Sequence, residues 1–155
     1  MPAGVHLDHE REDLCRLLRT RIEPGQNTHT MQAEQEIAEY FAGSRQHFDV
    51  TLHAPGTAFQ QGVWSILQRI PYGRTISYQH EAKALSNPRA IRAVATANGA
   101  NRISIIIPCH RVIGKDGRLV GYGGGLSRKQ WLIAHEQAHR PFNLQGDAEE
   151  DLIAG

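Results

Sequence analysis

Apolar positions along the chain fall into helical stripes separated by clear stops. Residues 9–20 (HEREDLCRLLRT) place Leu14, Leu17 and Leu18 on one helical face, and residues 31–42 repeat the spacing through Ala33, Ile37 and Phe41 until Gly43. Alternation over residues 48–52 (FDVTL) predicts a strand, and Ala54-Pro55-Gly56 a linker. Thr57-Ala58-Phe59-Gln60 has the form of a capping box, opening a helix with Phe59, Val63, Ile66, Leu67 and Ile70 inward and Pro71-Tyr72-Gly73 as its stop. Ser77 can cap a helix over residues 78–85. Ser86-Asn87-Pro88 then supplies a turn, an N-cap and a first-turn proline for a second helix over residues 89–98, closed by Gly99. That pair reads either as a helix-turn-helix or as an ordinary helical hairpin whose alanines permit close packing. A short apolar run at residues 103–107 (ISIII) is strand-like, and Ser127-Arg128-Lys129-Gln130 has the form of a capping box for a last helix.

Charge changes this picture more than composition does. The 155 residues are 40% hydrophobic and 21% charged, ordinary values for a globular chain that can build one domain or two small halves. The formal net charge is only +1. Yet residues 83–129 carry Lys83, Arg89, Arg92, Arg102, Arg111, Lys115, Arg118, Arg128 and Lys129 against Asp116 alone. Such a concentration suits either a polyanion, nucleic acid first, or a solvated basic face. No apolar run reaches membrane-span length, and the first residues lack the order of a signal peptide. The two cysteines, Cys15 and Cys109, exclude a disulfide framework and a four-cysteine zinc site, and suggest a reducing, cytoplasmic setting. No histidine pair at metal-binding spacing comes with a plausible third ligand, so no metal is expected.

The candidate chemistry lies between residues 101 and 122. A cysteine after an apolar run is most simply a buried hydrophobe. Against that, His110 and Arg111 follow Cys109 directly, an environment that lowers a thiol pKa. Glycines 114, 117, 121, 123, 124 and 125 would let backbone approach a flat ligand. On the last helix Glu136 shares a face with Leu132 and Ile133, and a carboxylate there needs a partner such as the His110 imidazole. These features allow a cysteine nucleophile without naming a reaction.

GTAFQQGVW, RIPYGRTISYQ, NPRAIRAVATANGANRISIIIPCHRVIG and GYGGGLSRKQWLIAHE, in that order, resemble the C-terminal domain of the O6-alkylguanine-DNA alkyltransferases. The IPCHRV block around Cys109 is the most specific of these signals, and the match spans residues 56–137. The resemblance implies an α+β protein. An N-terminal α/β, ribonuclease-H-like domain (1–53) would precede a mostly helical catalytic domain with a helix-turn-helix (56–138), and a polar tail would follow (139–155). Because the part before Met31 is short for the family, an incomplete N-terminal sheet is expected.

The resemblance also implies roles. Cys109 would accept the alkyl group from O6-alkylguanine, and more weakly from O4-alkylthymine, once per molecule and without a cofactor. His110, held by Glu136, would deprotonate it through a water; Asn101 would order the loop; Tyr78 would donate to guanine N3. The carbonyls of Cys109 and Val112 would read the exocyclic amine, the Gly123 amide would face O6, Tyr122 would wall the alkyl pocket, and Ser104 would join the substrate-binding set. Arg92 would fill the place of the flipped base, with Ala93 and Ala95 letting the helix close on the minor groove of double-stranded DNA. The protein would act as a monomer. Three rivals remain from other classes: a non-catalytic lesion sensor, which would lack the acceptor cysteine that is present here; a cysteine hydrolase; and a transcription regulator reading the major groove.

Overall fold

The computed structural model describes residues 3–141 and residue 153. Among these residues six helices carry the fold: α1 (Ala3–Leu18), α2 (Thr28–Phe41), α3 (Ala58–Arg69), α4 (Tyr78–Ala84), α5 (Ile91–Gly99) and α6 (Leu126–His139). Two short strands, β1 (Ile76–Ser77) and β2 (Val112–Ile113), pair in parallel with Ile76 opposite Val112. A single 3-10 turn, Cys109–Arg111, precedes β2.

Local chemistry explains the central helices. Thr57 accepts from the Gln60 amide while the Gln60 side chain accepts from the Thr57 amide, so the predicted capping box starts α3. α3 then buries Val63, Trp64, Ile66 and Leu67, and Trp64 Nε1 donates to the Ala97 carbonyl at 2.9 Å, pinning α5 across it. Phe59, expected inward, is 39% exposed. Ser77 accepts from the His80 amide and caps α4 as its position predicts. Val63, Leu67, Ala82, Val94, Ile107 and Val112 form one core around these elements, with Cys109 at its edge.

Several expected elements take a different form. Asn87 does not cap α5: the Asn87 carbonyl accepts from the Ala90 amide in a turn, and the helix starts at Ile91. Ser127 does not cap α6 either, because the helix already begins at Leu126 after Gly125, whose φ of +96° suits only glycine. The run at residues 103–107 is not a strand. Ile105 has φ +75°, a region that penalises β-branched residues, and the chain turns so that the Ile107 amide donates to the Ile103 carbonyl.

Among the described residues no strand precedes Ile76, so the expected N-terminal ribonuclease-H-like sheet is absent there. Residues 48–52 have no strand partner. Instead the amides of Asp49 and Val50 donate to the carboxylate of Glu36 at 2.5 and 3.0 Å, which satisfies the backbone without a ladder. α2 accordingly buries Glu36 and Tyr40, whereas Phe41, assigned inward from the pattern, is 45% exposed. On α1, Leu17 and Leu18 are exposed. Most of the predicted tail, from residue 142 on, falls outside the described residues.

Candidate active site

Cys109 reaches its position through the turn that Ile105 forces and the 3-10 turn that follows Pro108. Its side chain is almost buried and lines an open cavity of about 1070 Å³ together with Asn101, Ser104, Ile105, Tyr122, Gly123 and Gly124. Asn101 organises this corner: its Nδ2 donates to Cys109 Sγ at 3.2 Å and to the Ile107 carbonyl at 2.8 Å, while its Oδ1 accepts from the Ile103 amide. Ser104 and Tyr122 both line the cavity, and the Ser104 side chain partly offsets the rise that burial gives the Tyr122 pKa. Leu7, Phe41 and Trp131 extend the wall.

Behind the cysteine lies a buried polar network. His110 is fully buried, and its Nε2 lies 2.7 Å from Glu136 Oε1. Burial holds the imidazole pKa below its ordinary value despite the pull of Glu136, so the contact is a hydrogen bond from a neutral ring. With Nε2 donating, the Nδ1 lone pair is left as a base, and Nδ1 has no hydrogen-bond partner among the described residues. Glu136 also accepts from Arg111 Nε and Nη2, both at 2.9 Å, from Tyr40 Oη at 2.8 Å and from the Gly73 amide at 3.1 Å. Burial alone would raise its pKa, but the His110 and Arg111 bonds outweigh that and hold it at about 2. Gly73 sits at φ +75°, and an added Cβ would strike Arg140, so this donor requires glycine.

The pairing of His110 with Glu136 follows the sequence expectation, and the remainder of the network does not. Arg111, read as activating the thiol, instead turns to Glu136 and to the Ile70 carbonyl. Tyr40 and Gly73 come from distant chain segments that no spacing links to residue 136. Lys129, one of the basic run that the sequence assigns to a charged surface, is fully buried. Its Nζ donates to the carbonyls of Val120 and Gly121 and lies 5.7 Å from the Tyr78 ring centre. The spacing of 129, 132 and 136 along α6 could have revealed it, since one helical face carries all three.

The thiol itself departs from the sequence expectation. Burial pushes the Cys109 pKa above its ordinary value, and the Asn101 bond and the Lys129 charge only partly offset this. At rest the sulfur is therefore a thiol. Tyr78 is half-buried with its pKa pushed up to about 12, chiefly by burial, and its hydroxyl donates to the Val120 carbonyl at 3.0 Å. It stands outside the cavity lining, so donating to a ligand would require it to leave Val120. Val112 is buried in β2, and its amide donates to the Cys109 carbonyl, which keeps one lone pair unused. Arg92, Ala93 and Ala95 are exposed on α5, away from the core-facing Val94 and Ala97. Of the nine basic residues between 83 and 129, six are exposed; Arg111 and Lys129 are buried, and Arg102 is paired with Glu10 and Asp13 of α1.

His135, Glu136 and His139 have the spacing of a helical zinc motif. His135 Nε2, however, bonds the Tyr40 carbonyl and Glu136 points into the network above, and among the described residues no three potential ligands converge. The described residues also contain no helix long and apolar enough to cross a membrane.

Residues 58–138 match the family model described as 6-O-methylguanine DNA methyltransferase, DNA binding domain. A methylated-DNA–protein-cysteine methyltransferase of Mycolicibacterium paratuberculosis is 52% identical over 112 residues, which are 72% of this chain and 68% of that protein. One from Salmonella typhimurium is 51% identical over 102 residues, 65% of this chain and 60% of that protein. Among solved structures, the O6-methylguanine methyltransferase of Mycobacterium tuberculosis superposes with a TM-score of 0.71 at 46% identity, covering 82% of this chain and 75% of that one. The Mycobacterium tuberculosis protein in complex with DNA gives 0.70, covering 80% and 81%. With a matching family model over more than half its length and relatives at this identity, the chain belongs to the 6-O-methylguanine DNA methyltransferase family.

Proposed function

We propose that this protein is a methylated-DNA–protein-cysteine methyltransferase that repairs DNA by moving the alkyl group of O6-alkylguanine onto Cys109. The observation that carries the reading is Cys109 Sγ on a cavity wall, bonded by Asn101 and backed by a neutral His110 tied to Glu136. In the reaction the thiol proton leaves through a water to His110 Nδ1. The sulfur attacks the alkyl carbon, a carbon–sulfur bond forms, the carbon–oxygen bond breaks, and the proton is returned to the departing guanine. Because the thiol is protonated at rest, the acceptor is protected from adventitious electrophiles until a substrate fills the cavity.

No cofactor enters this scheme. A thioether is a poor leaving group, so each molecule acts once, with O4-alkylthymine as a weaker substrate. The exposed face of α5, with Arg92 flanked by Ala93 and Ala95, suits close approach to the minor groove and extrusion of the damaged base. In the DNA-bound state Tyr78 exchanges Val120 for guanine N3, while Tyr122, Ser104 and the Gly123 amide border the alkyl group and O6. The N-terminal unit (1–53) and the catalytic unit (56–138) then act together as a monomer. A free acceptor thiol points to a reducing, cytoplasmic setting.

The test is incubation with an O6-methylguanine oligonucleotide followed by peptide mass measurement. One methyl on the Cys109 peptide, a plateau at one transfer per protein and loss of transfer in Cys109→Ser are expected. Unmodified protein beside unrepaired DNA refutes the assignment.

A further inference from the structure

One buried acid has no part in the chemistry above. Glu81 on α4 is fully buried, and its Oε2 accepts from Asn98 Nδ2 of α5 at 2.7 Å. Asn98 lines the Cys109 cavity, three residues before Asn101. Two atoms of this pair, Glu81 Oε1 and Asn98 Oδ1, have no hydrogen-bond partner among the described residues. Both are acceptors when the carboxyl is ionised, and both belong to residues already bonded to each other. One proton on Oε1 would supply the donor that the pair lacks, as an acid–amide pair requires.

The surroundings favour that proton. On its own helix Glu81 has Tyr78, His80 and Lys83 as titratable neighbours. α5 contributes Arg92, which is exposed, and α3 contributes Arg69, which donates to the Ile153 carbonyl. β1 and β2 contribute no charge. The turn after Pro108 brings Cys109, while His110 and Arg111 are committed to Glu136. Among the described residues no cation is bonded to Glu81, and a carboxylate in such a place is disfavoured. Burial accordingly pushes its pKa up to about 8. Its charge, when present, is felt by both Tyr78 and Cys109.

We propose that Glu81 is a positioning residue for the acceptor: held as the neutral acid, it joins the helix of Tyr78 to the end of α5 that leads into Asn101, and its ionisation opposes that of Cys109. The proposal rests on Cys109 as the reacting group, but its test needs no alkylated DNA. The two groups titrate as a coupled pair, so a second negative charge spreads thiolate formation to higher pH. Glutamine is the neutral shape-mimic that removes this coupling.

The experiment is the rate of Cys109 carboxamidomethylation by iodoacetamide between pH 6 and 10, followed by peptide mass so that Cys15 is read separately. Glu81→Gln is expected to match the unmodified protein at pH 7 and to react at least about threefold faster at pH 9. Superimposable profiles, or a variant slower at every pH, overturn the proposal. Should Glu81→Gln fold poorly, carbon-13 NMR of carboxyl-labelled glutamate in the unmodified protein decides. One glutamate titrating near pH 8 supports the proposal, and all glutamates titrating below pH 6 refute it. A positive result alongside failed methyl transfer would leave Glu81's role standing while removing the proposed function.

Discussion

At Glu136 a single carboxylate organises the surroundings of the candidate acceptor Cys109, because five donors converge on its two oxygens. Its removal therefore leaves more than a missing bond. Glu136→Gln strands the buried Arg111 guanidinium without its counter-charge, and breaking a buried pair in this way costs about 3–5 kcal/mol. Tyr40→Phe removes one donor to the same charged acceptor and costs about 1.5–3 kcal/mol. Urea midpoints of the two variants should fall in that order; equal losses would mean that Arg111 finds another partner. Asn101 acts on the sulfur directly. Since its bond to Sγ lowers the thiol pKa against the larger effect of burial, Asn101→Ala raises that pKa further. Alkylation of Cys109 by iodoacetamide at pH 8 should slow by about threefold to tenfold. An unchanged rate would mean that the amide serves only the Ile103–Ile107 turn.

At the scale of elements, sequence and structure agree where local chemistry decides. Thr57 with Gln60, and Ser77 before α4, place their helices because a cap is satisfied within three residues. Agreement fails where a distant partner decides. The strand expected at residues 48–52 gives way to Glu36, and the one at 103–107 to a left-handed Ile105 stabilised by the Asn101 contacts. The Cys109–His110–Glu136 core of the site was legible from the cysteine block and the helical face of Glu136. The roles of Arg111 and Lys129 were not, because a charge read from sequence carries no direction. Only an exposed cation can reach a phosphate. With six of nine basic residues exposed, the slope of log K against log salt for duplex binding should be no steeper than about −5, whereas nine phosphate contacts would give about −8. Arg92→Ala, on the exposed face of α5, should slow repair of duplex DNA far more than reaction with a free O6-alkylguanine base. Equal losses on both substrates would move Arg92 into the pocket or the fold.

For the whole molecule, the buried ionisable groups give stability a pH profile whose sign can be worked out group by group. Glu136, depressed to about 2, contributes stability that is complete above its ordinary carboxylate pKa and is lost as pH falls toward 2. His110, depressed by burial, binds its proton more readily unfolded, so stability also falls below its ordinary pKa of 6.5. Glu81 runs the other way. Raised to about 8, it holds a proton in the folded state that the unfolded chain has already released above 4.5, and stability declines as pH rises through that interval. Between 4.5 and 6.5 His110 and Glu81 oppose each other, whereas from 6.5 to 8 His110 no longer contributes and the thiol of Cys109 begins to do so only near its ordinary value of 9.0; Lys129, held below its ordinary 10.5 by burial, works against Glu81 only once its folded-state proton begins to leave. Unfolding free energy should therefore drop by about 2 kcal/mol between pH 6.5 and 8, at about 1.4 kcal/mol per pH unit for one proton. Glu81→Gln should flatten that segment and leave the acid limb of Glu136 untouched. Urea titrations of both proteins at pH 6.5 and 8 measure this difference. A drop of the same size in the variant would assign the linked proton to another group and remove the neutral Glu81–Asn98 pair from the account.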